Sequence, residues 1–271
     1  MNAVERISLE LLEELGSDAR RLADPCTAPV RFTQLKEMAR SPLHFKHSLQ
    51  HHRDESLSMR LGTGAHALTF GTPRVVVYAK RRAGKEWDAF EAEHSDCVIL
   101  NEREHGIASA MARELTTDFV AAPLLFAPGS KFEHEVKWEL MGRACAGRID
   151  ALTPSGVVDL KAVKDGDPKW FGFQAARMRW AEQVTWYADG CEAAGLGWHR
   201  PHLVTVENAP PHTVTVYALP DEVIEVARRN YRAWFAQVLE CSKRNEWPGY
   251  TNEVLELRIP GAYVPPINDE E

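Results

Sequence analysis

The chain has 271 residues, 44% of them apolar and 26% charged, proportions that exclude a disordered, collagenous or coiled-coil chain and fit one large α/β domain. Acidic residues outnumber basic ones 39 to 32, a net charge of −7, so any attraction to nucleic acid or an anionic membrane must come from locally placed Arg and Lys. Cys26, Cys97, Cys145, Cys191 and Cys241 are scattered, odd in number and never paired as CxxC, which argues against a disulfide framework or a zinc ribbon and fits a reducing cytoplasm.

Residues 1–20 and 33–53 read as helices separated by Asp24, Pro25 and Pro29, and the acidic start MNAVERISLELLEEL lacks a signal-peptide pattern. Arg74 to Ala79 is a β-branched run, followed by the basic residues Lys80, Arg81, Arg82 and Lys85 and by a long helix expected from Asn101 to Asp118. The most apolar stretch, 119–127, is too short to span a bilayer, so no membrane partner is expected. From Lys131 the pattern acquires period two: Glu133, Glu135, Lys137 and Glu139 alternate with Phe132, Val136, Trp138 and Leu140, as a half-buried strand requires. A second strand over 144–152 and a third over 157–163 are joined at Pro154, Ser155 and Gly156 as a hairpin. A helix over 171–194, strands over 202–206 and 213–219, and an amphipathic helix from Asp221 to about Lys243 complete the series; the Pro-rich acidic end from Pro260 is expected to fray or dock loosely. The expected organisation is a single domain over 1–271, with a helical part to residue 60, a core over 61–250 and a tail beyond.

The residues richest in chemistry are GRID at 147–150 and VVDLK at 157–161. In a strand Asp159 and Lys161 project from one face while Leu160 points into the core. If the hairpin pairs, Asp150 approaches Asp159, and two adjacent carboxylates repel unless a cation lies between them. That pattern describes a site for a hard divalent ion, magnesium with manganese as a substitute, where a lysine positions or helps deprotonate a water and the chemistry is phosphodiester hydrolysis. A surface hairpin carrying an Asp–Lys ion pair is the other reading that spacing alone allows.

Hairpin-borne Asp, then D-x-K, then a helix resembles the layout of the PD-(D/E)XK nuclease superfamily. Asp150, Asp159 and Lys161 stand at the two acids and the lysine of that family, and Gln183-x-x-x-Tyr187 resembles the QxxxY element of its RecB-like branch, whose pair shares a helix face near DNA. Further likeness is to the RecE-like, exonuclease VIII-like enzymes of phages and prophages: SPLHF at 41–45, LGTGAHAL at 61–68, GKEW at 84–87, the helix opening at Asn101, and WPGY at 247–250. The resemblance covers most of 33–260 and implies a mixed central sheet flanked by helices, with helical elements before it. By the same resemblance His66 and Glu135 join Asp150 and Asp159 as metal ligands, and the Leu160 carbonyl adds a backbone ligand. Lys161, Glu135, Gln183 and Tyr187 act with the two aspartates in catalysis. Ile149 stands where the family name has Pro, and the second acid is Asp159 in a D-L-K arrangement. By residue type alone, His66 also reads as a helix-start or core histidine and Glu135 as a solvated charge.

Gly62-x-Gly64-x-x-Ala67 does not follow a buried strand and is set aside as a dinucleotide motif; Glu91-x-x-His94 and Glu102-x-x-His105 are separated by the strand-like run CVIL and read as surface helix residues. His44, His47 and His51 recur at helical spacing without accompanying carboxylates. Cys241 alone cannot supply the four cysteines of the iron–sulfur cluster found in some related nucleases, so no such cluster is expected. Arg31, Lys36, Arg40, Arg53 and Arg60, the run from Lys80 to Lys85, and Arg177 and Arg179 are candidates for phosphate-backbone contacts, Arg31 and Lys36 for a terminal 5′ phosphate. The resemblance implies 5′ to 3′ digestion of linear duplex DNA from its ends by a ring-shaped homo-oligomer, leaving 3′ overhangs for a single-strand annealing protein. An endonuclease on the same core, structure-specific or of restriction type, and a non-catalytic DNA-binding module are the competing readings.

Overall fold

A computed structural model describes residues 28–51 and 56–257. The expected helix over 1–20, Arg53 and the tail from Pro260 lie outside them. Two short helices, α1 (Phe32–Leu35) and α2 (Pro42–Gln50), flank a 3-10 turn, Lys36–Ala39, where one helix over 33–53 is expected. The break is a start signal: Ser41 accepts from the His44 amide and Pro42 occupies the first helical position, where its missing N–H costs nothing. Then come α3 (Leu57–Phe70), β1 (Val75–Val77), α4 (Lys85–Glu93), β2 (Val98–Leu100), α5 (Glu102–Thr117) and α6 (Ala121–Leu125). Helix α5 opens with a full capping box between Asn101 and Glu104 and closes with Asp118 as its C-cap, matching the expected bounds.

The three consecutive strands form as expected: β3 (Lys131–Leu140), β4 (Arg143–Thr153) and β5 (Gly156–Val163). Two helices follow, α7 (Pro168–Met178) and α8 (Trp180–Ala193), instead of one over 171–194. Arg179 separates them in the left-handed region, φ 62°. No Gly or Pro marks that break; Trp180 turns inward there and stacks 5.7 Å from Phe171. Strands β6 (Pro201–Glu207) and β7 (Val214–Ala218) and the long helix α9 (Asp221–Arg244) complete the described chain.

The main sheet runs β3-β4-β5-β6-β7, parallel only between β5 and β6, and β1 pairs with β2 in a separate parallel ribbon. One face of the main sheet packs on α8, α9 and the first helices through Ile149, Val157, Val184, Trp186 and Phe235; the other packs on α3, α5 and α6 through Ala151, Val158, Leu160, Met111 and Leu125. The result is the expected mixed sheet flanked by helices. Each fully buried aliphatic or Phe side chain in these layers contributes about 1.5–3 kcal/mol.

Two departures from regular pairing position the chemistry. Strands β4 and β5 pair only from Ala151 to Thr153 with Gly156 to Val158, then diverge at Asp150 and Asp159. Beyond the fork the free edge of β4 is taken by Val30, whose amide donates to the Ala144 carbonyl and whose own carbonyl accepts from Ala146. Along β3, Val136 and Trp138 pack with the α8 layer whereas Phe132 stacks on Phe70 of α3. The inward face switches at Glu133, which has φ 47°.

Candidate active site

Asp150 ends the unpaired part of β4, and its Oδ2 accepts from the Leu160 amide at 2.7 Å. The carboxylate thus replaces the backbone acceptor that β4 withdraws at the fork, satisfying a buried N–H. Leu160 in turn offers its carbonyl to His66 Nε2, 2.8 Å away, across from α3. With the Nε2 proton committed there, Nδ1 of His66 faces Asp150 Oδ1 at 3.7 Å and Glu133 Oε1 at 3.9 Å. One ligand atom each from His66, Glu133 and Asp150 lies within 4.8 Å of the others.

Burial lowers the proton affinity of His66, but Asp150, Glu133 and the Leu160 carbonyl outweigh it and the imidazole is raised above its ordinary value. Asp150 is pushed up to about 6, chiefly by burial and further by Asp159. Two carboxylates and an imidazole nitrogen converging in a half-buried cleft form a donor set for a divalent cation.

Beside this group lies a second one. Asp159 is 2% exposed, and its Oδ2 stands 2.6 Å from Lys161 Nζ. The contact lacks hydrogen-bond alignment, and Oδ2 has no hydrogen-bond donor. An orphaned buried carboxylate oxygen next to the His66, Glu133 and Asp150 group fits a site that accepts a cation. Lys161 donates to Gln183 Oε1 at 3.0 Å, and Gln183 Nε2 donates to Tyr187 Oη at 3.1 Å, one helical turn on. Burial and then Asp159 raise the Tyr187 phenol, which therefore keeps its proton. Gly147 makes room for that ring: a Cβ there would lie 2.7 Å from two Tyr187 carbons. Trp180 closes the side of the cluster, its ring centre 5.5 Å from Lys161 Nζ.

The structure thus brings His66, Asp150, the Leu160 carbonyl, Asp159, Lys161, Gln183 and Tyr187 to one place. Glu135 is elsewhere. Its side chain is 46% exposed and pairs with Arg31 at 2.9 Å and Lys137 at 3.4 Å; Arg31 and then Lys137 hold it below the usual carboxylate range. Glu133 takes the position beside His66 and is also held by Arg148 at 3.1 Å. Period-two reasoning treats Glu133 and Glu135 as equivalent; the left-handed conformation of Glu133 itself, which sets the two apart, leaves no trace in composition. Among the basic candidates, Arg31 is tied to Glu135, and Lys36 is half-buried in the 3-10 turn. Arg177 is exposed on the last turn of α7, and Arg179 contacts Glu182 and faces the Trp234 ring. No helix of the described residues is long and apolar enough to cross a membrane.

A family model described as a PDDEXK-like domain of unknown function (DUF3799) matches residues 31–258. Among solved structures, a candidate exonuclease from Eubacterium rectale superposes with a TM-score of 0.59 over 86% of this chain and 91% of its own, at 12% identity. That likeness is one of fold. The crystal structure of SSO0001 aligns over 81% of this chain and 88% of its own at 12% identity, with a TM-score of 0.27 too low to bear on the architecture. The search of curated proteins returns no match.

Proposed function

The chain belongs to this PDDEXK-like family, and from that premise we propose that it is a magnesium-dependent exodeoxyribonuclease, working as one nuclease domain in the cytoplasm. It digests linear duplex DNA from 5′ to 3′, leaves 5′-phosphorylated products and exposes 3′ overhangs for a strand-annealing protein. The observation that carries the reading is the meeting of His66, Glu133 and Asp150 with the Asp159–Lys161 pair at the β4–β5 fork.

In this reading His66, Glu133, Asp150, Asp159 and the Leu160 carbonyl hold the cation, Mg2+ with Mn2+ as a substitute. A divalent ion there supplies Lewis-acid stabilisation of charge building on the phosphoryl oxygens. Lys161 has three N–H protons; Gln183 accepts one and the Asp159 carboxylate holds the ammonium as an ion pair, so the attacking water or a phosphate oxygen can be met by another. Gln183 is itself oriented by Tyr187. The Tyr187 hydroxyl accepts from Gln183 and retains its own proton to donate to the scissile strand, so in-line attack is organised mainly by positioning.

A homo-oligomeric ring around DNA fits a net acidic chain, since only the channel face has to be basic. The test is Mg2+-dependent digestion of linear and covalently closed duplex DNA labelled at either end, beside Lys161→Ala. Release from 5′ ends of linear DNA only, abolished in the variant, is the expected result. Cutting of closed circles overturns the exonuclease in favour of an endonuclease, and metal-independent binding without cleavage overturns catalysis.

A further inference from the structure

Helix α7 joins the strand bearing Asp159 and Lys161 to the helix bearing Gln183 and Tyr187. Its eleven residues include two cations, Lys169 and Arg177, and no acid, a local excess of positive charge in a chain of net charge −7. Asp167, just before it, is engaged in capping the Lys169 amide. One side of α7 is anchored: Phe171, 3% exposed, stacks 4.5 Å from Tyr217 and 5.7 Å from Trp180, whose ring lies against Lys161. The other side carries Trp170 and Phe173, 63% and 73% exposed, their ring centres 6.1 Å apart. Among the described residues this is the one contacting pair of Phe, Tyr or Trp rings with both members exposed.

Large aromatic faces are left in water at a cost and usually mark a surface that something covers. We propose that Trp170 and Phe173 form a stacking platform for the bases of an unpaired DNA strand passing the active site, with Lys169 and Arg177 meeting its phosphates. The inference rests on the nuclease reading and specifies that the enzyme holds one strand apart from its complement. Two features select single-stranded DNA over an apolar protein partner. The two cations on the helix complement a polyanion, with the exposed Asp165 and Asp167 confined to the segment before it, and the helix is tied through Phe171 and Trp180 to the lysine of the cleavage site. Bases stack on such rings whatever their sequence, because every base has a π-face.

The test uses full-length Lys161→Ala protein, expected to retain DNA without cutting it, and measures anisotropy with a labelled single strand and with a blunt hairpin duplex. Adding Trp170→Ala and Phe173→Ala should weaken single-strand binding roughly ten- to a hundredfold, leave the blunt hairpin within about twofold, and leave the melting temperature unchanged. The aromatic replacements Trp170→Phe and Phe173→Tyr should restore most of the loss. Equal weakening on both DNAs, no weakening, or a change in sedimentation mass instead of affinity overturns the platform. If Lys161→Ala protein with both rings intact binds neither DNA, the nuclease reading fails before the platform is reached, so the two failures are distinct.

Discussion

Two clusters of buried charge, at opposite ends of α3, are built on opposite principles. At its start, Glu104 of α5 is surrounded by donors: Arg60 at 3.2 Å, Arg82 at 2.5 Å and the Asn101 amide at 2.9 Å. Burial opposes its charge, but Arg82, Asn101 and Arg60 together hold the carboxyl below its usual range. Toward the end of α3, His66 meets Glu133 and Asp150 with Asp159 nearby; the three carboxylates outnumber the fixed cations beside them, Arg148 and Lys161, and Asp150 is pushed up to about 6. In the first cluster the carboxylate is fully met by donors, and it holds α3, α5 and the segment before α4 together. The second is short of positive charge, which is how a protein stores affinity for a cation.

The contrast is broken most severely by Lys161→Ala, which should lower the cleavage rate roughly a thousandfold while the protein still folds cooperatively, as read in parallel nuclease and thermal assays. Glu104→Ala should do the reverse. Removing the shared carboxylate takes a partner from each of two arginines and the acceptor from the Asn101 amide, a loss of about 3 kcal/mol in urea unfolding, with the residual folded enzyme still active.

A pH series sharpens the comparison. Asp150 titrates near 6 when folded against 3.8 ordinarily, so folding takes up a proton between those values. The stabilisation is whole below about pH 4 and is lost as pH rises through 6, and the raised His66 acts in the same direction. Metal-free protein should lose on the order of 3 kcal/mol of stability across that window, and Asp150→Asn should flatten most of the slope while abolishing cleavage. Saturating Mn2+ should flatten it in the wild type. The smallest effect separates two glutamates: Glu133→Gln should weaken Mn2+ binding about tenfold by calorimetry, whereas Glu135→Gln, exposed and already held by Arg31 and Lys137, should leave it within twofold.

What could be read from the sequence follows from what repeats locally. Strands β3 to β5, helix α5 with its Asn101 and Glu104 ends, and helix α9 follow from period and capping, which act within a few residues. The closeness of Asp159 to Lys161, and of Gln183 to Tyr187, follows from two-residue strand and four-residue helix spacing. The choice of Glu133 over Glu135 does not, because one left-handed residue decides it and Glu is not a residue that advertises that conformation. The split between α7 and α8 at Arg179 is hidden for the same reason. By contrast the break before α2, which the expected helix over 33–53 runs through, does carry a local signal in the neighbouring Ser41 and Pro42.

The bond from the Leu160 amide to Asp150 has an evolutionary consequence. Asp150 is at once a candidate ligand and the piece that closes the sheet where β4 and β5 part. A lineage that gave up cleavage would not be free to discard it: an alanine there strands a buried amide, whereas an asparagine keeps the acceptor and sheds the troublesome charge. Inactive descendants of this chain should therefore drift toward Asn at 150 while Lys161 is lost without restraint, so that decay of the enzyme would leave the hinge of its sheet behind as a scar.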